Sequence, residues 1–213
     1  MLKKLFFLAS ALLLSMGNLA NTKGAAVQPD DAESTDVTVE YLSESNNFSR
    51  GDDGSTRFGK AAYWMAENYG IDNGGSGVKN GIDNFLGYNS LQLGAWEENP
   101  NNAALENSRL YQKVKLPAGR YYFGAKYQYV EPDKFSATNK GYLFVADKLL
   151  NTAEVEAEAI SYSKMGTSSN NGSFYGIIFD LTTEQEVYLG WQMDSRFWHS
   201  EFRATDVLLL KYG

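Results

Sequence analysis

Short segments in which apolar and polar residues alternate, each closed by Gly, Asn, Pro or Asp, confine this chain to β-structure. They fall at 37–42, 61–69, 91–96, 108–116, 119–130, 140–147, 159–165, 173–181, 185–193 and 201–212. Tyr121, Phe123, Ala125, Tyr127 and Tyr129 share one face of the fifth. Val187, Leu189, Trp191 and Met193 share one face of the ninth. Phe202, Ala204, Leu208 and Leu210 line the last, interrupted by Asp206. A period of two belongs to antiparallel strands with one side buried. Only 153–159 (AEVEAEA) is rich in helix formers, enough for a single turn. No repeat at solenoid or propeller spacing is present. So many short strands in one unit predict two sheets packed face to face, an all-β antiparallel sandwich.

The first residues read as an address. Lys3 and Lys4 precede the apolar run Leu5 to Leu14, which is too short to span a bilayer, and small and polar residues follow. This is the pattern of a secretory signal peptide, residues 1–20, with cleavage placed between 17 and 26. Residues 21–36 are expected to be a flexible leader and 37–213 the folded domain. The chain is expected to be exported, to the periplasm or beyond, and not inserted in a membrane.

Composition excludes whole classes of chemistry. The chain has no cysteine, so disulfides, thiolate metal sites, a cysteine nucleophile and a cysteine-linked lipid anchor are all excluded. It has one histidine, His199, too few for a multi-histidine zinc site. The formal charge is −7, and loss of Lys3 and Lys4 makes it more acidic. Such a surface repels phosphate backbones, so nucleic acid is not an expected partner.

Connection lengths point to one working end. Tight turns occur at Leu116–Gly119 and Leu181–Glu184, whereas 43–60, 97–107, 131–139, 166–172 and 194–200 are long and polar. If strand direction alternates strictly, those five gather at one end of the sandwich, and 70–90 falls at the other. Sandwich folds commonly bind through such clustered loops. Trp64, Trp96 and Trp198 fall toward the same end, while Trp191 sits on an apolar face and belongs to the core. An indole face stacks on the C–H groups of a sugar ring at small entropic cost. Closing the end of the core is the competing use of these rings. Arg196, His199, Asn101 and Asp194 surround the last two tryptophans with groups able to contact ligand hydroxyls.

Other chemistry is thinner. Glu97, Glu98, Asp194 and Glu201 flank the same end, but no motif pairs two of them as a glycoside hydrolase requires. Asp52, Asp53, Asp72, Asp83 and Asn84 are oxygen donors in Gly-rich stretches that suit a structural calcium ion, although such residues also simply form turns. The Gly74–Gly81 stretch fits neither a dinucleotide nor a P-loop spacing.

The stretch Arg109–Phe123 (RLYQKVKLPAGRYYF), Glu186–Trp191 (EVYLGW) and the closing Glu201–Leu210 (EFRATDVLLL) resemble the strands and Leu-Pro-Ala-Gly turn of galactose-binding-like jelly rolls, a group that includes many carbohydrate-binding modules. From about residue 41 to 212 the chain looks like an uncharacterised domain family of secreted and surface proteins in Gram-negative gut bacteria. The resemblance implies a jelly-roll sandwich; the tryptophans and polar loops at one end, with no catalytic motif, make a non-catalytic module for a neutral glycan the expected function. An adhesive protein–protein domain is the alternative, and a hydrolase a lesser one.

Overall fold

The structure, a computed structural model, describes residues 24, 26–29, 33–45, 48–49, 61–67, 74–79, 90–95, 105–130, 140–165, 174–195 and 200–213. The elements are β1 (Ser34–Asp36), α1 (Thr38–Tyr41), β2 (Met65–Glu67), β3 (Gly74–Lys79), β4 (Ser90–Ala95), β5 (Leu105–Leu116), β6 (Gly119–Val130), β7 (Lys140–Ala146), α2 (Val155–Glu158), β8 (Ser161–Lys164), β9 (Phe174–Leu181), β10 (Gln185–Ser195) and β11 (Ser200–Tyr212). One sheet has the order β3-β4-β11-β6-β9, with β1 also on β11; the other has the order β2-β5-β10-β7-β8. Neighbouring strands are antiparallel throughout. The expected all-β sandwich is what the chain forms.

The main core lies between the sheets. Val187, Leu189, Trp191 and Met193 of β10 are fully buried in it, as their alternation requires. Trp191 is its hub, with ring centroids of Phe202, Trp64 and Phe123 at 5.0, 5.4 and 5.6 Å. A smaller core covers the other face of the β10 sheet. There Tyr111, Tyr142 and Phe144 pack under Leu150, Val155 and Ala159 of the β7–β8 connection. The single helical turn expected near 153–159 is α2, and it anchors that cover.

Four segments depart from the sequence reading. Within 37–42, Thr38–Tyr41 form α1 where a strand was expected. Asp36 Oδ1 accepts from the Thr38 amide at 2.9 Å, turning the chain there. The Thr38 hydroxyl then accepts from Leu209 N at 2.8 Å and donates to Leu209 O at 3.3 Å, standing in for a neighbouring strand. Secondly, β3 lies within 70–90, read as a connection. Its sequence, GGSGVK, offers no apolar alternation, and pairing with β4 defines it.

Thirdly, β11 carries a bulge between Thr205 and Leu208. Asp206 adopts φ 49° and is held by Lys126 Nζ at 2.8 Å. One extra residue swaps the faces beyond it. The buried inner residues are Phe202, Ala204, Val207 and Leu209, and Leu208 and Leu210 belong to the outer face.

Finally, parts of the segment read as a flexible leader are built into the sandwich. Ser34–Asp36 pairs with Leu210–Tyr212. Val27 exchanges two backbone hydrogen bonds with Gly176 of β9, at 2.8 and 3.0 Å, and Gly24 N donates to Tyr162 O of β8 at 2.9 Å. The outer strands β8 and β9 have ladder groups on their unpaired sides, and this segment satisfies some of them.

Candidate functional site

Strand direction alternates from β2 to β11, because each pair is antiparallel and the two tight turns cross between sheets. The ends that flank 96–104, 131–139, 165–173 and 196–199 are therefore gathered together. The registers Ser200↔Ala95, Glu201↔Val130, Asp194↔Lys140, Ser195↔Leu105 and Lys126↔Phe174 show this directly. Most of 43–60 lies outside the described residues, and α1 rather than a strand precedes it, so the count does not apply to it. Ser43 instead meets Gln112, whose Oε1 accepts from Ser43 N at 3.1 Å while its Nε2 donates to Ser43 O at 2.6 Å.

The sequence-predicted residues distribute unevenly over this end. Trp96 adjoins Ala95, Arg196 adjoins Ser195, and His199 adjoins Ser200 in the sequence, so the chain positions of Trp96 and His199 each neighbour one partner of the Ala95↔Ser200 pair. Trp96, Asn101, Arg196, Trp198 and His199 themselves lie outside the described residues, as do the calcium candidates Asp52, Asp53, Asp72, Asp83 and Asn84. Among the described residues no group of three acidic, histidine or cysteine side chains is arranged to hold a metal ion.

Trp64 is a correction. It is 3% exposed, meets Phe48 edge-on at 6.1 Å as well as Trp191, and donates its Nε1–H to Glu44 O at 3.2 Å. Its neighbour Tyr63 is the exposed member of the pair, at 58%. Trp64 packs the core and presents no open stacking face.

Asp194 lies at the expected end, in a polar junction. Its Oδ1 accepts from Asn107 N and from Thr152 Oγ1, each at 2.7 Å. Asn107 Oδ1 accepts from Thr152 N at 2.7 Å. Gln192 Nε2, on the same face two residues earlier, donates to Thr152 Oγ1 and Leu150 O, each at 3.0 Å. Beside it, Arg109 donates Nε–H to Asn107 O at 3.3 Å and pairs with Glu67 at 3.6 Å. Glu67 also accepts from Tyr111 OH at 2.7 Å. Burial, then this bond to a carboxylate, pushes the Tyr111 phenol up to about 12.

Asn107, Thr152, Gln192 and Arg109 escaped the sequence reading. The available signal was Gln192 and Asp194 at i and i+2 on the outward face of β10, whose inward residues Val187, Leu189, Trp191 and Met193 are all apolar. Polar groups at that spacing near a strand end need partners from another segment. What this part of the end offers chemically is a set of fixed donors and acceptors.

A family model described as a domain of unknown function, DUF5013, matches residues 43–190. No curated protein matches the sequence. Among solved structures, the enzymatically active domain of tailspike protein 4 from bacteriophage CBA120 is similar at TM-score 0.44 and 14% identity, over 70% of this chain but 19% of that one. The module TmCBM61, solved with β-1,4-galactotriose, is similar at TM-score 0.44 and 15% identity, over 70% of this chain and 88% of that one. A protein of Bacteroides thetaiotaomicron described as a proposed glycoside hydrolase is similar at TM-score 0.48 and 10% identity, over 81% of this chain and 73% of that one.

Proposed function

The chain belongs to the DUF5013 family, a domain of unknown function, and from that premise we propose that it is an exported, non-catalytic module that binds a neutral glycan at the long-connection end of its sandwich. The observation that carries the reading is the Ala95↔Ser200 register pair, which brings the stems bearing Trp96 and Trp198 to one place. Trp96 and Trp198 are the stacking platforms in this reading, and Arg196, His199 and Asn101 contact sugar hydroxyls. Selectivity comes from those polar partners, because a wrong stereoisomer leaves a desolvated donor unpaired. Stacking plus a few exposed hydrogen bonds corresponds to a dissociation constant of roughly 10 µM to 1 mM, about 4–7 kcal/mol.

The test is a glycan array probed with wild type, Trp198→Ala and Trp96→Ala, each shown to melt at the same temperature. Specific signal lost in both variants supports the reading. Signal unchanged in both removes this site. An adhesive role has one observation in its favour, the exposure of Tyr63 and Met65 (58% and 56%) beside and on the outer strand β2. A wild type that captures no glycan at all shifts the reading to protein–protein contact.

A further inference from the structure

Asp194 ties together segments that leave or approach the long-connection end separately. Asn107 follows the 96–104 connection, and Asp194 precedes 196–199. Lys140, the register partner of Asp194, follows 131–139. Thr152 belongs to the cover between β7 and β8. Both donors to Asp194 Oδ1 are themselves held. Asn107 sits at φ 51° with its side chain on Thr152 N, and Thr152, 1% exposed, receives Gln192, 0% exposed. We propose that Asp194 is a positioning residue rather than a ligand contact: the Asn107–Thr152–Asp194 junction sets the spacing of the β5 and β10 stems that bound the 96–104 and 196–199 connections. This rests on the reading of that end as a binding end. An oxygen engaged by two donors in a part-buried network is poorly placed to exchange them for a sugar hydroxyl, whereas the network immobilises three chain segments at once.

The experiment uses the full chain and two readouts. Amide hydrogen exchange of the free protein is followed at residues 105–107 and 150–153. Affinity is measured for a panel of neutral oligosaccharides. Thr152→Val deletes one donor to Asp194 without touching the carboxylate, and leaves Gln192 Nε2 with Leu150 O as its acceptor. It should speed exchange about 5–10-fold, the worth of one hydrogen bond, and weaken binding by a similar factor. Asp194→Ala should do more, and the double variant should exceed Asp194→Ala only by the loss of the Gln192–Thr152 bond. Asp194→Asn keeps an acceptor at Oδ1 and should retain most protection and affinity; if Asp194→Ala fails to fold, Asp194→Asn and Thr152→Val carry the comparison. Wild-type exchange and affinity in Thr152→Val, with affinity lost in Asp194→Asn, would overturn the proposal and make Asp194 a contact. Faster exchange in Thr152→Val with no oligosaccharide bound by wild type would sink the glycan reading and leave the positioning role standing.

Discussion

The indole of Trp64 lies 5.4 Å from that of Trp191, tilted by 37°, so a residue just outside β2 completes the centre of the core. Truncation there leaves a large cavity beside Phe48 and strands the Glu44 carbonyl. Trp64→Ala should lower unfolding free energy by about 3–5 kcal/mol, with Trp64→Phe much milder. Urea titration followed by tryptophan fluorescence measures both. A loss under about 1 kcal/mol would mean the ring is not part of a packed centre.

The bulge in β11 is maintained by Asp206 in the left-handed region and its 2.8 Å ion pair with Lys126. Both side chains are largely shielded, Lys126 at 27% and Asp206 at 18% exposed. Asp206→Ala keeps the backbone penalty and loses the pair, costing about 1–2 kcal/mol. Asp206→Gly loses the pair but relieves the backbone, so its cost should be smaller. Thermal melts of the two variants test the order, and the reverse order would contradict the bulge geometry.

Gly190 lies between Tyr111 and Phe144 in register, and a Cβ there would stand 2.1 Å from Leu110 O and 2.7 Å from Tyr111 Cα. Backbone of the neighbouring strand must move to admit it. Gly190→Ala should therefore destabilise by about 1–3 kcal/mol, despite the usual benefit of replacing glycine in a strand. Chemical denaturation checks the sign.

Alkaline pH should unfold the protein earlier than its aromatic content alone implies. The phenols of Tyr111 and Tyr127 are pushed from 10.0 up to about 12, mainly by burial. Below pH 10 both states keep the proton and stability is unaffected. Between pH 10 and 12 the unfolded chain loses protons that the folded chain retains, so stability falls as pH rises. The slope is about 1.4 kcal/mol per pH unit for each such tyrosine. Melting temperature against pH, with phenolate absorbance alongside, should show ionisation coinciding with unfolding. Tyr127→Phe should flatten the curve. Phenolate of Tyr127 appearing near pH 10 in the folded state, read as the absorbance difference between wild type and Tyr127→Phe, would refute it.

Much of this architecture was legible because alternation is a local property. The run Val187, Leu189, Trp191 and Met193 needed only a period of two to announce its buried face, and Leu116–Gly119 announced its turn. Strand parity then placed the stems of four long connections at one end, since antiparallel neighbours leave no other arrangement. Decisions that depend on a partner were not legible. Whether Thr38 begins a strand or caps Leu209 is settled by the side of β11 it meets, and whether GGSGVK is a strand by the presence of β4. The inward turn of Val207 depends on Lys126 reaching Asp206 from the adjacent strand. The candidate site divides the same way. Sequence determined that tryptophans and polar residues flank the ends of β4, β10 and β11. Tertiary structure decided that Trp64 is a core ring and that Asp194 faces Asn107 and Thr152. Hydrogen bonds and ring contacts over separations of tens of residues leave no periodic trace in the chain, because their energy depends on which surfaces the completed sheets bring together.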